Sequence, residues 1–379
     1  MSTEEIAIAS PPANSTFPPA FAPARAVLEQ AIGNRAFPGA AFGVLHRGRI
    51  VALDAVGRFT YKPDAPLVRP QTVFDLASVS KVVATAAAAM RLHDHGLLDL
   101  NLRLGDILPA FVIGMQPGNG KQHVTLRMLL AHSSGLPGYV KFFETCSTPG
   151  ALLRAALRLP LEAQPDVRTE YSDPGYILLG KAIEVLAGEP LDTFCAREVF
   201  TPLGLASTRF RPPADQRSVI PPTEDDTWFR HRVIQGEVQD ENACVLQGIA
   251  GHAGVFSSVP DLLRFAQCIL DRGRTASGEQ LFNPATLDLF TTTQSTPDKR
   301  TRALGWDVPT PPSSSGRHFG PRSVGHLGYA GTSLWIDPDR SLAVALLTNR
   351  TWPDRSTDAI RQVRPAFHDA IVESLATSS

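Results

Sequence analysis

The chain has 379 residues, enough for one large core or two smaller ones, and its 36 Lys plus Arg against 37 Asp plus Glu leave a formal charge of -1. With no block of like charges it offers no footprint for a nucleic-acid backbone, and with no apolar run long enough for a membrane span it reads as a soluble chain. Its four cysteines, Cys146, Cys195, Cys244 and Cys268, have no ligand-like spacing, which fits the reduced thiols of a cytoplasmic protein.

Residues 1–20 carry acidic side chains where an export signal needs basic ones and are broken by prolines, so they read as a flexible leader. Val27, Leu28, Ala31 and Ile32 have helical spacing, and Phe37-Pro38-Gly39 closes that helix. Two strand-like runs, 40–46 and 49–57, flank Arg47-Gly48 as an antiparallel hairpin. Residues 79–90 are apolar or small except for Ser80, Lys81 and Thr85, and Gly96 ends the run, the pattern of a helix packed on most of its faces. Lys81 breaks the pattern: it either reaches solvent or lies inside, where desolvation lowers its pKa and makes it a usable base. Ser78 sits one turn earlier on the same face, so hydroxyl and amine can meet. A helix starting within 75–78 also surrounds that hydroxyl with unpaired amides and the positive end of the dipole.

Further along, 98–108 reads as a turn and short helix, 124–136 as a helix ended by Gly135, and 148–159 as another. Helices are also expected from Asp173-Pro174 to Gly188, over 191–200 and over 261–270, with 210–240 as an extended surface loop. Runs 332–338 and 341–349 form a second hairpin, and 357–375 a closing helix. His93-Asp94-His95 lies at a helix end where adjacent residues point apart, which disfavours a metal. The predicted fold class is therefore α+β: one antiparallel sheet from both chain ends, flanked by helices, over residues 21–97 and 296–379, with a mostly helical domain, 98–295, inserted between them.

Three stretches can serve Ser78. Tyr171, in Tyr171-Ser172-Asp173 ahead of a helix, can turn its phenol into a cleft, where a neighbouring ammonium favours the phenolate and a proton relay. Asp173, followed by Pro174, also has the form of a helix cap. Gly325-His326-Leu327-Gly328 and Gly251-His252-Ala253-Gly254 both let a backbone approach a ligand, and spacing alone does not rank them. No Gly-x-Ser-x-Gly occurs, so the nucleophile-elbow hydrolases have no foothold.

In order, FDLASVSK, LLAHSSGL, YSDPGYILLGKAIE, VFTPLGLASTRF, GIAGHAGVFSS and GHLGYAGTSLWIDPD resemble the class C beta-lactamase-related serine hydrolases, over residues 25–375. That group includes penicillin-binding DD-peptidases, D-amino-acid amidases and family VIII carboxylesterases. The resemblance implies a beta-lactamase/transpeptidase-like fold and acyl-enzyme chemistry without metal or organic cofactor. It makes Ser78 the nucleophile, Lys81 the base and Tyr171 the proton carrier. It places an oxyanion hole at the backbone N–H groups of Ser78 and Tyr329, and substrate contacts at Asp173, His326 and Gly328, ranking His326 over His252. Two departures stand out: Asp173 replaces the usual asparagine and should hold Lys81 protonated if close, and His326 replaces a lysine that meets the substrate carboxylate. Both favour a small ester or amide as substrate, for a carboxylesterase or a D-amino-acid amidase or peptidase. A beta-lactamase or DD-carboxypeptidase is the enzymatic alternative, and a non-catalytic binding or scaffold protein of the same fold the alternative of another class.

Overall fold

The computed structural model describes residues 18–113, 120–298 and 301–377, so the leader expected at 1–20 lies, for 1–17, outside the described residues. Five strands form the main sheet: β1 (Gly39–His46), β2 (Arg49–Gly57), β3 (Val324–Leu327), β4 (Ser333–Asp337) and β5 (Leu342–Thr348). All pairs are antiparallel, in the order β3-β4-β5-β1-β2. The two hairpins read from opposite ends of the chain join where β1 meets β5, from Ala40 opposite Thr348 to His46 opposite Leu342. Five helices cover the sheet or carry the site: α1 (Ala22–Gly33), α2 (residues 77–94), α3 (Asp173–Ala187), α4 (Val259–Leu270) and α5 (Ile360–Thr377).

Side chains alternate across a strand, and the central strands β1 and β5 are apolar at every position but their last, so both faces need cover. Ala40, Phe42 and Val44 of β1, with Val344 and Leu346 of β5, join Phe367 and Ile371 of α5 and Leu28 of α1 in one core. Ala41 and Leu45, with Ala343, Ala345 and Leu347, face the other way, toward Val259 and Leu263 of α4 and the large core behind. Gly43 makes that second packing close, since a Cβ there would lie 2.7 and 2.8 Å from the side chains of Val259 and Leu263.

Helix α2 is buried along its length from Val79 to Met90, as its alanine-rich run predicts. It opens as a 3-10 turn at Ala77–Val79, widens into a π turn over Lys81–Ala86 and continues as α-helix over Ala87–Asp94. Such widened turns recur at functional sites. Helix α3 lies against it, started by Ser172, whose Oγ accepts the Gly175 N–H at 3.0 Å, and stopped by Gly188 at φ 72°.

Two expectations fail locally. The helix read over 124–136 covers only Leu126–Leu130, because His132 takes a left-handed φ of 57° and turns the chain away. The surface loop read over 210–240 contains a strand pair, Pro222–Asp226 with Arg232–Gln235, and buries Thr223, Glu224, Asp226 and Ile234. Polar residues tolerate that burial because they are paired: Arg230 Nε donates to Asp226 Oδ2 at 2.7 Å and Arg355 to Glu224 at 2.6 Å.

The loop before α4 touches α3 through two glycines. A Cβ on Gly180 would come within 2.9 Å of the Gly251 backbone, and one on Gly251 within 2.9 Å of the Gly180 nitrogen. Gly251→Ala should therefore destabilise the fold by roughly 1–3 kcal/mol through overpacking. Gly33→Ala, with nothing within 4 Å of its Cβ, should not. Thermal melting of the two variants checks this, and equal melting temperatures would contradict the packing.

Candidate active site

The approach to Ser78 is a bent backbone held by a buried acid. Asp75 accepts the N–H groups of Ala77 and Gln239, each at 2.8 Å, and burial pushes its pKa up to about 6 in spite of them. Ala77 is thereby kept at φ 47°, a left-handed conformation that costs a non-glycine residue roughly 1–3 kcal/mol. Behind the turn, Ser80 Oγ accepts the Val255 N–H at 3.1 Å. Ser78 is left partly exposed on the first turn of α2.

Lys81 lies inside, 0% exposed. Its Nζ donates to Ser78 Oγ at 2.9 Å and to the His252 carbonyl at 3.0 Å, and pairs with Asp173 Oδ1 at 2.7 Å. Burial alone pulls its pKa down, but Asp173 and then Tyr171 outweigh it, so the net shift is upward. The resting group is an ammonium, as expected for an acid at close range, and not the neutral amine that desolvation alone predicts. Asp173 is free for this pairing because Ser172 caps α3 in its place.

The Tyr171 ring centre lies 4.8 Å from Lys81 Nζ. Burial raises its pKa, and the opposing pull of Lys81 does not reverse the shift. It is a neutral phenol, which corrects the phenolate expected from its lysine neighbour. His132 stacks on it at 4.6 Å and on Tyr176 at 4.8 Å, while its Nδ1 accepts the Ser172 N–H at 2.9 Å. Thus the left-handed turn that ends the short helix at 126–130 also wedges a ring behind Tyr171.

The loop from Gly328 to Thr332 closes on the chain ahead of Ser78. Gly328 N–H donates to Thr332 O at 2.8 Å, and Thr332 Oγ1 donates to Leu76 O at 2.8 Å. A Cβ on Gly328 would strike Thr332 Oγ1 and Leu76 O, so only glycine fits. Buried Arg364 of α5 donates to the carbonyls of Gly328, Gly331 and Thr332, and Arg350 Nε to that of Tyr329 at 2.6 Å. In a trans peptide the carbonyl and the following N–H point apart, so the grip on Gly328 O turns Tyr329 N–H to the other side. Among the described residues, neither Tyr329 N–H nor Ser78 N–H donates to a protein acceptor. Burial, with Arg350 nearby, lowers the Arg364 pKa to about 9.

These pieces border a cavity of ≈ 700 Å³ whose wall includes Ser78, Tyr171, Asp173, His326, Gly328 and Tyr329. Lys81 lies beneath its floor. His326 is 3% exposed, with Nδ1 2.8 Å from Leu327 O and Nε2 without a protein partner among the described residues. Burial, then the charges of Lys81 and Arg302, hold its pKa well below the ordinary value, so it is neutral. His252 is buried off the cavity wall, its Nε2 2.8 Å from Asp240 Oδ1. Burial opposes ionisation of Asp240, but the pairing with His252, more than any other contact, holds its pKa down at about 2. The His252 carbonyl, not its ring, meets Lys81.

Sequence reasoning missed Arg302, Arg350 and Arg364, along with Trp228 and Asp240 from the misread 210–240 segment, all on the cavity wall. Nothing in their local sequence marks them, because the arginines converge only through β5, α5 and the segment preceding β3. Among the described residues no cluster of His, Cys, Asp and Glu fit for a metal occurs, and no helix is long and apolar enough to cross a membrane.

A model of the beta-lactamase family matches residues 24–366. An N-acetylmuramyl-L-alanine amidase of Bacillus subtilis (strain 168) is 35% identical over 349 residues, 83% of this chain and 77% of that protein. An Escherichia coli (strain K12) protein, provisionally named a D-alanyl-D-alanine carboxypeptidase, is 33% identical over 74% of this chain and 69% of its own length. Among solved structures, EstCE1, a hydrolase with promiscuous acyltransferase activity, is similar with a TM-score of 0.75 and 22% identity, over 93% of this chain and 98% of that one. A penicillin-binding protein homologue from Caulobacter crescentus gives 0.74 at 20% identity, over 95% and 99%. At such identities the structural likeness bears on the fold alone.

The Lys81–Asp173 pair should contribute to stability as well as to chemistry. Asp173→Asn leaves a buried ammonium without its carboxylate and should cost roughly 3–5 kcal/mol in urea unfolding at pH 7. Because the native lysine pKa is raised, the contribution is full below the ordinary 10.5 and fades only as pH climbs through the higher native value. A loss under about 1 kcal/mol, typical of an exposed pair, would contradict this.

Proposed function

This chain belongs to the beta-lactamase family and is a serine hydrolase of that fold, and from that premise we propose that it opens a small amide or ester through an acyl-enzyme on Ser78. The observation that carries the reading is Ser78 Oγ on the wall of an open cavity, 2.9 Å from the Nζ of a lysine buried below it.

In the reactive form Lys81 is neutral. Ser78 Oγ bonds to the substrate carbonyl carbon while its proton passes to Lys81 Nζ, and the oxyanion forms against the N–H groups of Ser78 and Tyr329. Each such donor supplies about 3–4 kcal/mol of transition-state stabilisation. Tyr171 then gives its proton to the leaving nitrogen or oxygen as that bond breaks, and regains one from Lys81. Water repeats the sequence on the acyl-enzyme: its proton reaches Lys81 by way of Tyr171, and Ser78 Oγ recovers a proton as the acid departs. Asp173 orients Lys81 and opposes its deprotonation, which tunes the pH at which the cycle runs.

An amide is favoured over an ester by the names of the two curated relatives, one an amidase and one provisionally a carboxypeptidase. A beta-lactam is disfavoured by neutral His326 at the position where beta-lactamases of this group carry a lysine.

A fluorophosphonate probe should label Ser78 in the native protein and nothing in Ser78→Ala, and a p-nitrophenyl short-chain ester should be turned over faster than a chromogenic cephalosporin. Labelling that survives in Ser78→Ala would sink the reading. In a pH profile, kcat/KM should rise toward the raised Lys81 pKa, because only the neutral amine accepts the Ser78 proton. Asp173→Asn removes the charge that favours the ammonium, so the acid limb should move to lower pH, and an unmoved limb would place the base elsewhere.

A further inference from the structure

Buried Asp75 stands just ahead of Ser78, in a two-residue strand, Phe74–Asp75, that pairs with Val255–Ser257 and sets Asp75 opposite Phe256. Its two carboxylate oxygens serve different parts of the chain. Oδ1 accepts the Ala77 N–H at 2.8 Å, within the turn that presents Ser78, and Oδ2 accepts the Gln239 N–H at 2.8 Å, 164 residues along. Gln239 leads into Asp240, which pairs with His252 at 2.8 Å, and the His252 carbonyl accepts from Lys81 at 3.0 Å. The second oxygen therefore connects the turn of the nucleophile with the loop that holds the base. Gln239 is committed elsewhere as well, its carbonyl accepting from Arg230 and its side-chain amide donating to Glu224.

Among the described residues no cationic side chain bonds to this carboxylate. Arg230, whose charge it feels, spends its donors on Asp226 and on the carbonyls of Val238 and Gln239, Asp240 adds repulsion, Phe256 across the strand is apolar, and Glu224 is taken up by Arg355. A carboxylate accepts at both oxygens, whereas a protonated acid carries a hydrogen on one of them. We propose that Asp75 is a positioning residue for the Ser78 reaction, its ionised carboxylate holding the left-handed turn ahead of the nucleophile against the 239–240 segment that steadies the support of Lys81. This inference rests on the acyl-enzyme cycle proposed above. When the acid takes a proton, one of the two N–H groups loses its acceptor, and the turn or the segment slackens. Burial, the largest influence, raises the Asp75 pKa from 3.8 to about 6 in spite of the two N–H groups, so the clamp is complete above that pH and is lost as pH falls through it. Stability runs the other way: the native chain binds this proton more firmly than the unfolded chain does, so protonation between about 6 and 3.8 favours the fold. A loss of reactivity near pH 6 is thus separable from unfolding.

The rate at which a fluorophosphonate labels Ser78, followed from pH 5 to pH 9, reads the nucleophile without a substrate to bind. Where only Lys81 must give up its proton, the logarithm of that rate rises linearly with pH. Below about 6 Asp75 must be ionised too, so the slope should double in the native protein. Asp75→Asn, with an acceptor on one atom and hydrogens on the other, should label about 10- to 100-fold more slowly at pH 8 and keep a single slope down to pH 5. Asp75→Ser keeps an oxygen for the Ala77 N–H but is too short to reach Gln239 as well, and it should lose the bend in the same way. With a p-nitrophenyl ester, the loss in both variants should fall on kcat more than on KM. Melting temperatures at pH 5 and pH 8 show which proteins are folded, and a purely structural brace would lower them without altering the slope. Should either variant fail to fold, the other variant and the native slope still decide. A native slope that stays constant through pH 6, or variants that match the native rate and bend, overturns the proposal. Native protein that is not labelled at any pH overturns the Ser78 reading and this inference with it, whereas labelling without the bend overturns this inference alone.

Discussion

An ammonium with no exposed surface must be held by partners from elsewhere in the chain, and the site around Lys81 is built by assembling them. Ser78 comes from its own helix, Asp173 from the first turn of α3, Tyr171 from the strand-like entry to that turn, and a carbonyl from the loop at 251–254. Each partner has its own support. Ser172 takes over the capping of α3 and frees the neighbouring acid, and two facing glycines let the loop come close enough for its carbonyl to reach. Without these, the cost of a buried charge would drive the lysine to lose its proton or leave the interior.

A second set of buried cations shapes the opposite lip of the cavity. Arg364 and Arg350 are satisfied by backbone carbonyls of the Gly328–Thr332 loop rather than by carboxylates. The Gly328 carbonyl drawn toward Arg364 leaves the Tyr329 N–H turned the other way, so the positive edge of a peptide joins the arginines on this lip.

How much of this the sequence discloses depends on how local each signal is. The alternation of β1 and β5, the alanine run of α2 and the Asp173-Pro174 start of α3 are contained in single windows, and the hairpins and helices built on them agree with the structure. Ser78 and Lys81 are visible as a pair because one helical turn separates them. The helix over 124–136 is overread because the left-handed turn at His132 leaves no glycine in the sequence as a marker, a consequence of stacking its ring on Tyr171. The 210–240 segment is misread because Glu224 is matched by Arg355, 131 residues away, a pairing that no window contains, while Asp226 is met by Arg230 within the segment. The direction of the Lys81 shift depends in the same way on Asp173, remote in the chain and 2.7 Å away in space.

The hydrogen bonds of Arg364 tie the readiness of the site to the order of synthesis. The loop from Gly328 to Thr332 is oriented by a residue of α5, and β1 has no partner on one side until β5 is made. A ribosome-bound chain that has released Ser78, Lys81 and Tyr171 therefore has neither the closed sheet nor the oriented Tyr329 peptide. The cavity takes its full shape only after residues 342–364 emerge and fold back, so its two sides are joined late in the making of the protein.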